Sequence, residues 1–346
     1  MSTKVNLNQQ KKKFQFRNLR KNMVQTNIQK LNLESITKFN NNFRHLMSGK
    51  LSISLLLKYL IKSNHINPKL NETFVPKFMG NWVYSSILQN SQIGTSLTNY
   101  TKILYMYHQF GIPQKVDVIK SFANENNLIL VEDCAHILEA TDKNNNSIIN
   151  QADYSIYSFS KFIDCNTLGG ILTKDEQLIK FIDNELKNSG NLQSHLIYFL
   201  YKLSKFFKEN SLLREKITNM NYSLWHMPSK TLKKNINLFT KNIEDESLVR
   251  KNRFILLKEE VKNKLLADYF DCNSIIAQKL PVPINKSAVV EKILKKFELY
   301  KFPFEVLMFD KNRNFLKPDY TKCLILNPSS KNKFFENQIQ IIRETL

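Results

Sequence analysis

An acid and a lysine each follow an apolar segment of the chain. Asp133 comes just after Leu128–Val131, and Lys161 comes just after Tyr154–Phe159. Since α/β proteins bind ligands at the carboxyl ends of their strands, we expect both side chains at one edge of a sheet. They could form a structural ion pair. Alternatively, the lysine could form a Schiff base while the acid keeps the pyridine nitrogen of a cofactor protonated. The spacing alone leaves both readings open.

Glycine is rare in this sequence and its positions are informative. The chain has 7 glycines in 346 residues, well below the average usage of about 7%. Four of them, Gly49, Gly111, Gly169 and Gly170, lie in predicted turns around the same sheet edge. Gly49 also precedes a predicted helix, whose N-terminus can bind a phosphate group. The glycines therefore favour a ligand site over a structural ion pair.

Short apolar segments alternate with helical patterns over the first half of the chain, which predicts a mainly parallel sheet. The predicted strands are Thr73–Pro76, Lys102–Tyr107, Leu128–Val131, Tyr154–Phe159 and Gly169–Thr173, and the predicted helices are Leu51–Ile61 and Val116–Asn127. A helical pattern covers about residues 174–261, and mixed patterns follow residue 280. We therefore predict a basic N-terminal arm over residues 1–36, a large α/β domain over 37–245, and a small α+β domain over 246–346.

The segments around these residues resemble the DegT/DnrJ/StrS family of aminotransferases. The family pattern is a strand, His-x-x-Gly, a helix, and an apolar strand that runs into Glu-Asp-x-Ala-His/Gln. His108, Gly111 and Glu132–His136 match it in order. The stretches HLMSGKLSISLLL, VPKFMGNWVYSSI and ADYSIYSFSK are similar to further motifs of the family. The resemblance covers about residues 40–260 and is weaker over the last hundred.

The resemblance implies a fold and an activity. The fold would be a fold-type-I pyridoxal phosphate (PLP) transferase, with a mainly parallel sheet in a three-layer large domain and a smaller C-terminal α+β domain. The activity would move an amino group from glutamate onto a keto-sugar, linked to a nucleotide, in polysaccharide biosynthesis. Such an enzyme would be a cytoplasmic homodimer whose partners are its small-molecule substrates.

The resemblance also implies roles for individual residues. Lys161 would form the Schiff base with PLP and then shuttle a proton between Cα and C4′. Asp133 would pair with the pyridinium nitrogen, and His136 would lie beside the ring near the phenolic oxygen. The residues that would hold the cofactor phosphate are Ser48, Gly49, Lys50 and Ser158.

The chain departs from the family pattern at several positions. Ser158 and Lys161 are three residues apart, which matches a branch with Ser-x-x-Lys where many members have Ser-x-x-x-x-Lys. Lys50 replaces the usual threonine, and Gly80 stands where many members stack an aromatic ring, with Trp82 two residues further on. These departures keep a second hypothesis open, in which the chain is a non-catalytic relative that acts as a binding or regulatory protein.

Composition argues against several other classes of protein. With 51 Lys plus Arg and 30 Asp plus Glu, the net charge is +21, which invites a nucleic-acid reading. The lysines are spread along the whole chain without a nucleic-acid motif, so we expect no specific nucleic-acid partner. The four cysteines form no C-x-x-C pair, so we expect neither a zinc site nor a disulfide scaffold. No segment approaches about 20 apolar residues, so we expect no transmembrane segment.

Overall fold

A seven-stranded sheet forms the centre of the protein. The computed structural model describes residues 42–165, 167–187, 229–265, 268–284 and 287–346, with a few isolated positions between 196 and 212. The strands of this sheet are β1 (Phe43–Leu46), β2 (Glu72–Phe74), β3 (Gln92–Gly94), β4 (Thr101–Tyr107), β5 (Ile129–Asp133), β7 (Tyr154–Tyr157) and β8 (Gly169–Thr173). Their order across the sheet is β1-β8-β7-β5-β4-β2-β3. The predicted arm over residues 1–36 lies outside the described residues.

The sheet is mainly parallel, as predicted. Strands β3, β2, β4, β5 and β7 run in one direction, and β8 is antiparallel to both of its neighbours, β7 and β1. Asp133 at the end of β5 lies opposite Tyr107 of β4 and Ile156 of β7. Because β8 runs the other way, its first residues reach the same edge, where Gly170 pairs with Tyr157. The carboxyl ends of three strands and the start of a fourth thus meet at one edge.

Helices cover both faces of this sheet, which gives the three layers expected. On one face, α1 (Gly49–Lys62), α2 (Asn81–Leu88) and α4 (Glu176–Lys187) share a core with Ile103, Tyr105 and Tyr107 of β4. On the other face, α3 (Val116–Glu125) packs against Leu104 and Met106. The alternation of β4 side chains explains why both faces are apolar, as in sheets that are buried on both sides.

The last third of the chain adds a smaller α+β unit. It contains the long helix α5 (Ser229–Leu265), the helices α6 (Ser287–Leu299) and α7 (Phe335–Thr345), and an antiparallel sheet of β10 (Leu280–Pro283), β12 (Tyr320–Leu326) and β11 (Glu305–Asp310). A two-stranded ladder of β6 (Ile137–Thr141) and β9 (Ser274–Ala277) joins this unit to the large sheet. The boundary predicted at residue 245 falls inside α5, so the partition at that position stays a prediction.

Strand β1, at one edge of the sheet, was not predicted from the sequence, because Arg44 and His45 make the segment look polar. Arg44 binds Asp183 of α4 through its Nε at 2.7 Å, and His45 is buried. Among the described helices, none has the combination of length and apolar character that a membrane crossing requires.

Candidate active site

One cavity lies at the sheet edge where the strands meet. Its volume is about 340 Å³, within the range of small-molecule sites. Every residue to which the resemblance assigned a role lines it, namely Ser48, Gly49, Lys50, Asp133, His136, Ser158 and Lys161. Trp82 lines it as well, because α2 begins at Asn81 and its first turn brings the indole to the cavity.

The N-terminus of α1 forms one wall of the cavity. Ser48 caps this helix, and its Oγ accepts a hydrogen bond from the backbone N–H of Leu51 at 3.2 Å. Gly169 packs directly against this turn. A Cβ on Gly169 would lie 2.5 Å from the carbonyl carbon of Ser48 and 2.6 Å from the oxygen of Tyr157, and it would also meet the nitrogen of Gly49. Free backbone N–H groups at a helix start bind anions, so this wall suits an oxyanion.

A lysine stands at the same helix start. Lys50 places its Nζ 4.3 Å from the centre of the Trp82 ring, within the range of a cation–π contact. Burial, together with the positive charge of Lys161, lowers the pKa of Lys50 to about 7. A ligand with negative charge would relieve both effects, so Lys50 adds to the preference of this wall for an anion.

The depressed pKa of Lys50 predicts a pH dependence of stability. The ligand-free folded protein gives up this proton near pH 7, whereas the unfolded lysine keeps it to its ordinary value of 10.5. The unfolded chain therefore binds more protons in this range, and the folded state gains stability as the pH rises from about 7 to about 9. Above that, buried groups such as Cys134 and Tyr105 retain protons that the unfolded chain loses, which reverses the slope.

Urea unfolding of the ligand-free protein at pH 7, 8 and 9 measures this slope. Lys50→Met should flatten it, and Lys161, which titrates in the same range, accounts for the remainder. Lys180→Met on the exposed surface of α4 is the control and should keep the slope of the wild type. Equal slopes for Lys50→Met and the wild type would contradict the assignment.

Lys161 follows β7 on a short turn that covers Phe159–Lys161. Burial lowers its pKa to about 8, while the charge of Asp133 acts to raise it and that of Lys279 to lower it. Its Nζ makes no hydrogen bond to any residue that the structure describes. An amine with such a pKa is partly unprotonated near neutral pH, and the unprotonated form is the nucleophile and the proton acceptor.

Asp133 is a buried carboxylate with two of its acceptor positions occupied. Its Oδ2 accepts a hydrogen bond from the Tyr105 hydroxyl at 2.8 Å, and its Oδ1 accepts one from the backbone N–H of Ala135 at 2.9 Å. The side chain is almost fully buried. Because each carboxylate oxygen can accept two hydrogen bonds, Asp133 can still bind a protonated nitrogen of a ligand in the cavity.

His136 lies between β5 and β6, and its imidazole faces the same cavity. Its Nδ1 is 2.7 Å from the hydroxyl oxygen of Tyr107. Burial lowers the pKa of His136 well below its ordinary value, and the charges of Lys161 and Lys279 act in the same direction. The ring is therefore neutral at physiological pH.

The residue before Asp133 has a structural task. Glu132 is fully buried, accepts a hydrogen bond at Oε1 from His108 Nε2 at 2.8 Å, and accepts further ones from the backbone N–H groups of Asn150 and Gln151. Although burial acts to raise the pKa of Glu132, these hydrogen bonds lower it.

His108, Glu132 and Cys134 lie close enough to suggest a metal site. Both nitrogens of His108 are already bonded, since its Nδ1 accepts from the N–H of Gln114, so this cluster is a structural brace.

The turn after His108 needs its glycine. Phe110 has a φ of 61° and Gly111 a φ of 101°, both in the left-handed region that glycine adopts most readily. A Cβ on Gly111 would also collide with the carbonyl oxygen of His136 and lie 2.7 Å from the Cβ of Ala277. The His-x-x-Gly motif therefore brings the end of β4, the His136 loop and β9 into contact.

Sequence reasoning missed Tyr105 and Tyr107, whose hydroxyls bind two of the predicted site residues. Their signal was available in the sequence, because residues two apart in a strand share a face and Tyr107 ends the strand beside Asp133.

The assembled site has an anion-binding wall, a reactive amine and a buried carboxylate. It fits a ligand that carries an oxyanion, an amine-reactive group and a protonated nitrogen.

Comparisons with known proteins point to a family of aminotransferases. Over residues 73–205 the chain matches the model of the DegT/DnrJ/EryC1/StrS aminotransferase family. No curated protein sequence matches the chain significantly.

Solved structures of similar fold include aminotransferases. The chain resembles the putative sugar aminotransferase Spr1654 from Streptococcus pneumoniae in its PMP form, with 14% identity, a TM-score of 0.60 and coverage of 90% of each chain. It resembles an aminotransferase from Psychrobacter cryohalolentis with 15% identity and a TM-score of 0.57, over 88% of this chain and 85% of that one. It resembles DesV from S. venezuelae, solved with a ketimine intermediate, with 14% identity and a TM-score of 0.56, over 87% of this chain and 84% of that one.

Proposed function

We propose that this chain, whose residues 73–205 match the model of the DegT/DnrJ/EryC1/StrS aminotransferase family, is a PLP-dependent transaminase that moves an amino group from glutamate onto a keto-sugar linked to a nucleotide. The observation that supports this most is the single cavity that holds an amine of lowered pKa, a buried carboxylate and a helix N-terminus. A homodimer, a cytoplasmic location and a place in polysaccharide biosynthesis stay predictions of the sequence.

The cavity suits the cofactor at each of its functional groups. The close approach of Gly169 to the start of α1, where a side chain would collide with main-chain atoms, fixes the position of the backbone of Ser48 and Gly49, which would bind the phosphate. Lys50 and Ser158 line the same cavity. Ser48, Gly49, Lys50 and Ser158 would hold the phosphate. The amine of Lys161 would bind the aldehyde carbon, and the carboxylate of Asp133 would bind the pyridine nitrogen.

Bound PLP supplies an electron sink for the negative charge that develops at the substrate carbon. Lys161 would hold the cofactor through its amine, and as a free amine it would move the proton at the substrate carbon. Its lowered pKa suits it for this, because a base that titrates near the working pH is unprotonated often enough to accept a proton. Desolvation in the buried cavity is the physical source of that lowered pKa.

The other residues of the cavity would orient the cofactor and keep its ring protonated. Asp133 would keep the proton on the pyridine nitrogen, and the hydrogen bonds from Tyr105 and Ala135 hold its carboxylate in one orientation. Lys50, Ser158 and the helix N-terminus would together bind the phosphate.

Absorbance spectroscopy tests the proposal. Purified protein loaded with PLP should be yellow, should lose that band when glutamate is added, and should regain it with a nucleotide-linked keto-sugar. Free keto-sugars and aspartate are the matched controls for acceptor and donor. Borohydride should fix the cofactor on Lys161, as peptide mapping would show. A protein that cannot be loaded with PLP would contradict the proposed chemistry and favour the non-catalytic hypothesis.

A further inference from the structure

Two tyrosines of β4 bind two of the site residues. Tyr105 and Tyr107 are two residues apart, lie on the face of the sheet that α1 covers, and are buried. The Tyr105 hydroxyl donates to Asp133, and the Tyr107 hydroxyl is 2.7 Å from Nδ1 of His136. Both are thus placed to act through a neighbour that faces the cavity.

The direction of the bond between Tyr107 and His136 follows from their surroundings. Burial raises the pKa of Tyr107 far above its ordinary value, the charge of Asp133 raises it further, and a hydrogen bond from the backbone of Phe110 to the phenol opposes these effects only in part. Tyr107 therefore keeps its proton, and within the described part of the chain Nδ1 of His136 is the acceptor in reach.

A neutral imidazole carries one proton, on the nitrogen that does not accept. Because burial and the charges of Lys161 and Lys279 keep His136 neutral, acceptance at Nδ1 requires the proton to be on Nε2. His136 lines the cavity, and its Nε2 makes no hydrogen bond to a described residue.

We propose that Tyr107 is a positioning residue that holds His136 in the Nε2–H tautomer, so that the imidazole offers a hydrogen-bond donor to the ligand in the cavity. This tautomer is set by the protein itself and does not require a bound cofactor. Its use rests on the proposed function, in which the acceptor is the phenolic oxygen of PLP. A hydrogen bond to that oxygen withdraws negative charge from it, so the proton shared with the neighbouring nitrogen is held less tightly.

The first test uses the ligand-free protein. Two-bond ¹H–¹⁵N spectra of protein labelled at histidine, assigned with His136→Gln, should show Nε2 protonated and Nδ1 unprotonated in the wild type. Tyr107→Phe removes the donor and should produce a mixture of both tautomers at His136. Tyr105→Phe, two residues away on the same strand, is the matched control and should leave the His136 signals unchanged. A wild type with its proton on Nδ1, or a Tyr107→Phe spectrum identical to the wild type, would overturn the proposal.

The second test uses the protein loaded with PLP. The pH midpoint of its visible absorption band should rise in Tyr107→Phe by up to about one pH unit, because the loss of one hydrogen bond to a charged group sets the upper limit of the shift. Thermal melts verify that this variant folds. An unchanged midpoint would overturn the role toward the cofactor. If the wild type cannot be loaded at all, the proposed function fails, and the spectra of the ligand-free protein still decide the tautomer.

Discussion

Replacing Lys161 with alanine is expected to give a folded protein that stays colourless with PLP and transfers no amino group. Lys161 supplies the amine that would hold the cofactor and move the proton, and loss of a positioned acid–base group alone lowers a rate by about 10²–10⁴. The remaining lysine of the cavity, Lys50, is held over the ring of Trp82 and does not replace it. Absorbance after PLP addition and single-turnover transfer from glutamate measure both losses.

Two variants separate this effect from a change in charge or fold. Lys161→Arg keeps a positive charge beside Asp133 and should be as inactive as the alanine variant. Lys180→Ala removes an exposed lysine of α4 and should retain the colour and the activity of the wild type. A borohydride-stable adduct that persists in Lys161→Ala would contradict the prediction and assign the cofactor to another amine.

Gly169→Ala is expected to destabilise the protein and to weaken PLP binding at least tenfold. The new Cβ would lie 2.5 Å from the carbonyl carbon of Ser48 and 2.6 Å from the oxygen of Tyr157. Both are main-chain atoms, so neither can turn aside and the start of α1 has to move. Forced packing of this kind costs about 1–3 kcal/mol. Urea unfolding and a titration with PLP measure the two effects.

The matched control is Gly80→Ala. Nothing lies within 4 Å of a Cβ at this position, and its φ of −64° is one that alanine adopts easily. Its free energy of unfolding should therefore stay within about 0.5 kcal/mol of the wild type. If Gly169→Ala were as stable as Gly80→Ala, the close approach of β8 to α1 would not be a real constraint.

The sequence predicts the centre of the fold better than its edges, and the reason is physical. Strands β4, β5 and β7 are buried on both sides and are therefore continuous apolar segments, so their ends could be located and Asp133 and Lys161 could be placed side by side. Strand β1 contains Arg44 and His45, whose burial depends on partners far along the chain. Such partners leave no trace in a local pattern.

The site shows the same division. Trp82 lies two residues beyond the family position for an aromatic side chain, and the sequence left open whether it reaches the cavity. The helix that starts at Asn81 turns it back toward Lys50. Tyr105 and Tyr107 were read only as strand residues, because their contacts to Asp133 and His136 cross from one strand to the next. The domain boundary predicted at residue 245 rests on the charged residues of α5. The buried side of this helix continues across that position, with Phe239, Ile243 and Phe254 in one core.

The pleat of β5 gives two adjacent carboxylates opposite tasks. Glu132 points to His108 and to the backbone of residues 150–152, while Asp133 points to the cavity. A slip of the strand by one residue would exchange them, because it turns every side chain to the other face. Glu132 would then stand beside Lys161, and Asp133 would be too short to span the amides that Glu132 binds. The register of β5 against β4 and β7 is thus part of the site, and β5 itself can evolve by replacement of side chains but not by insertion or deletion.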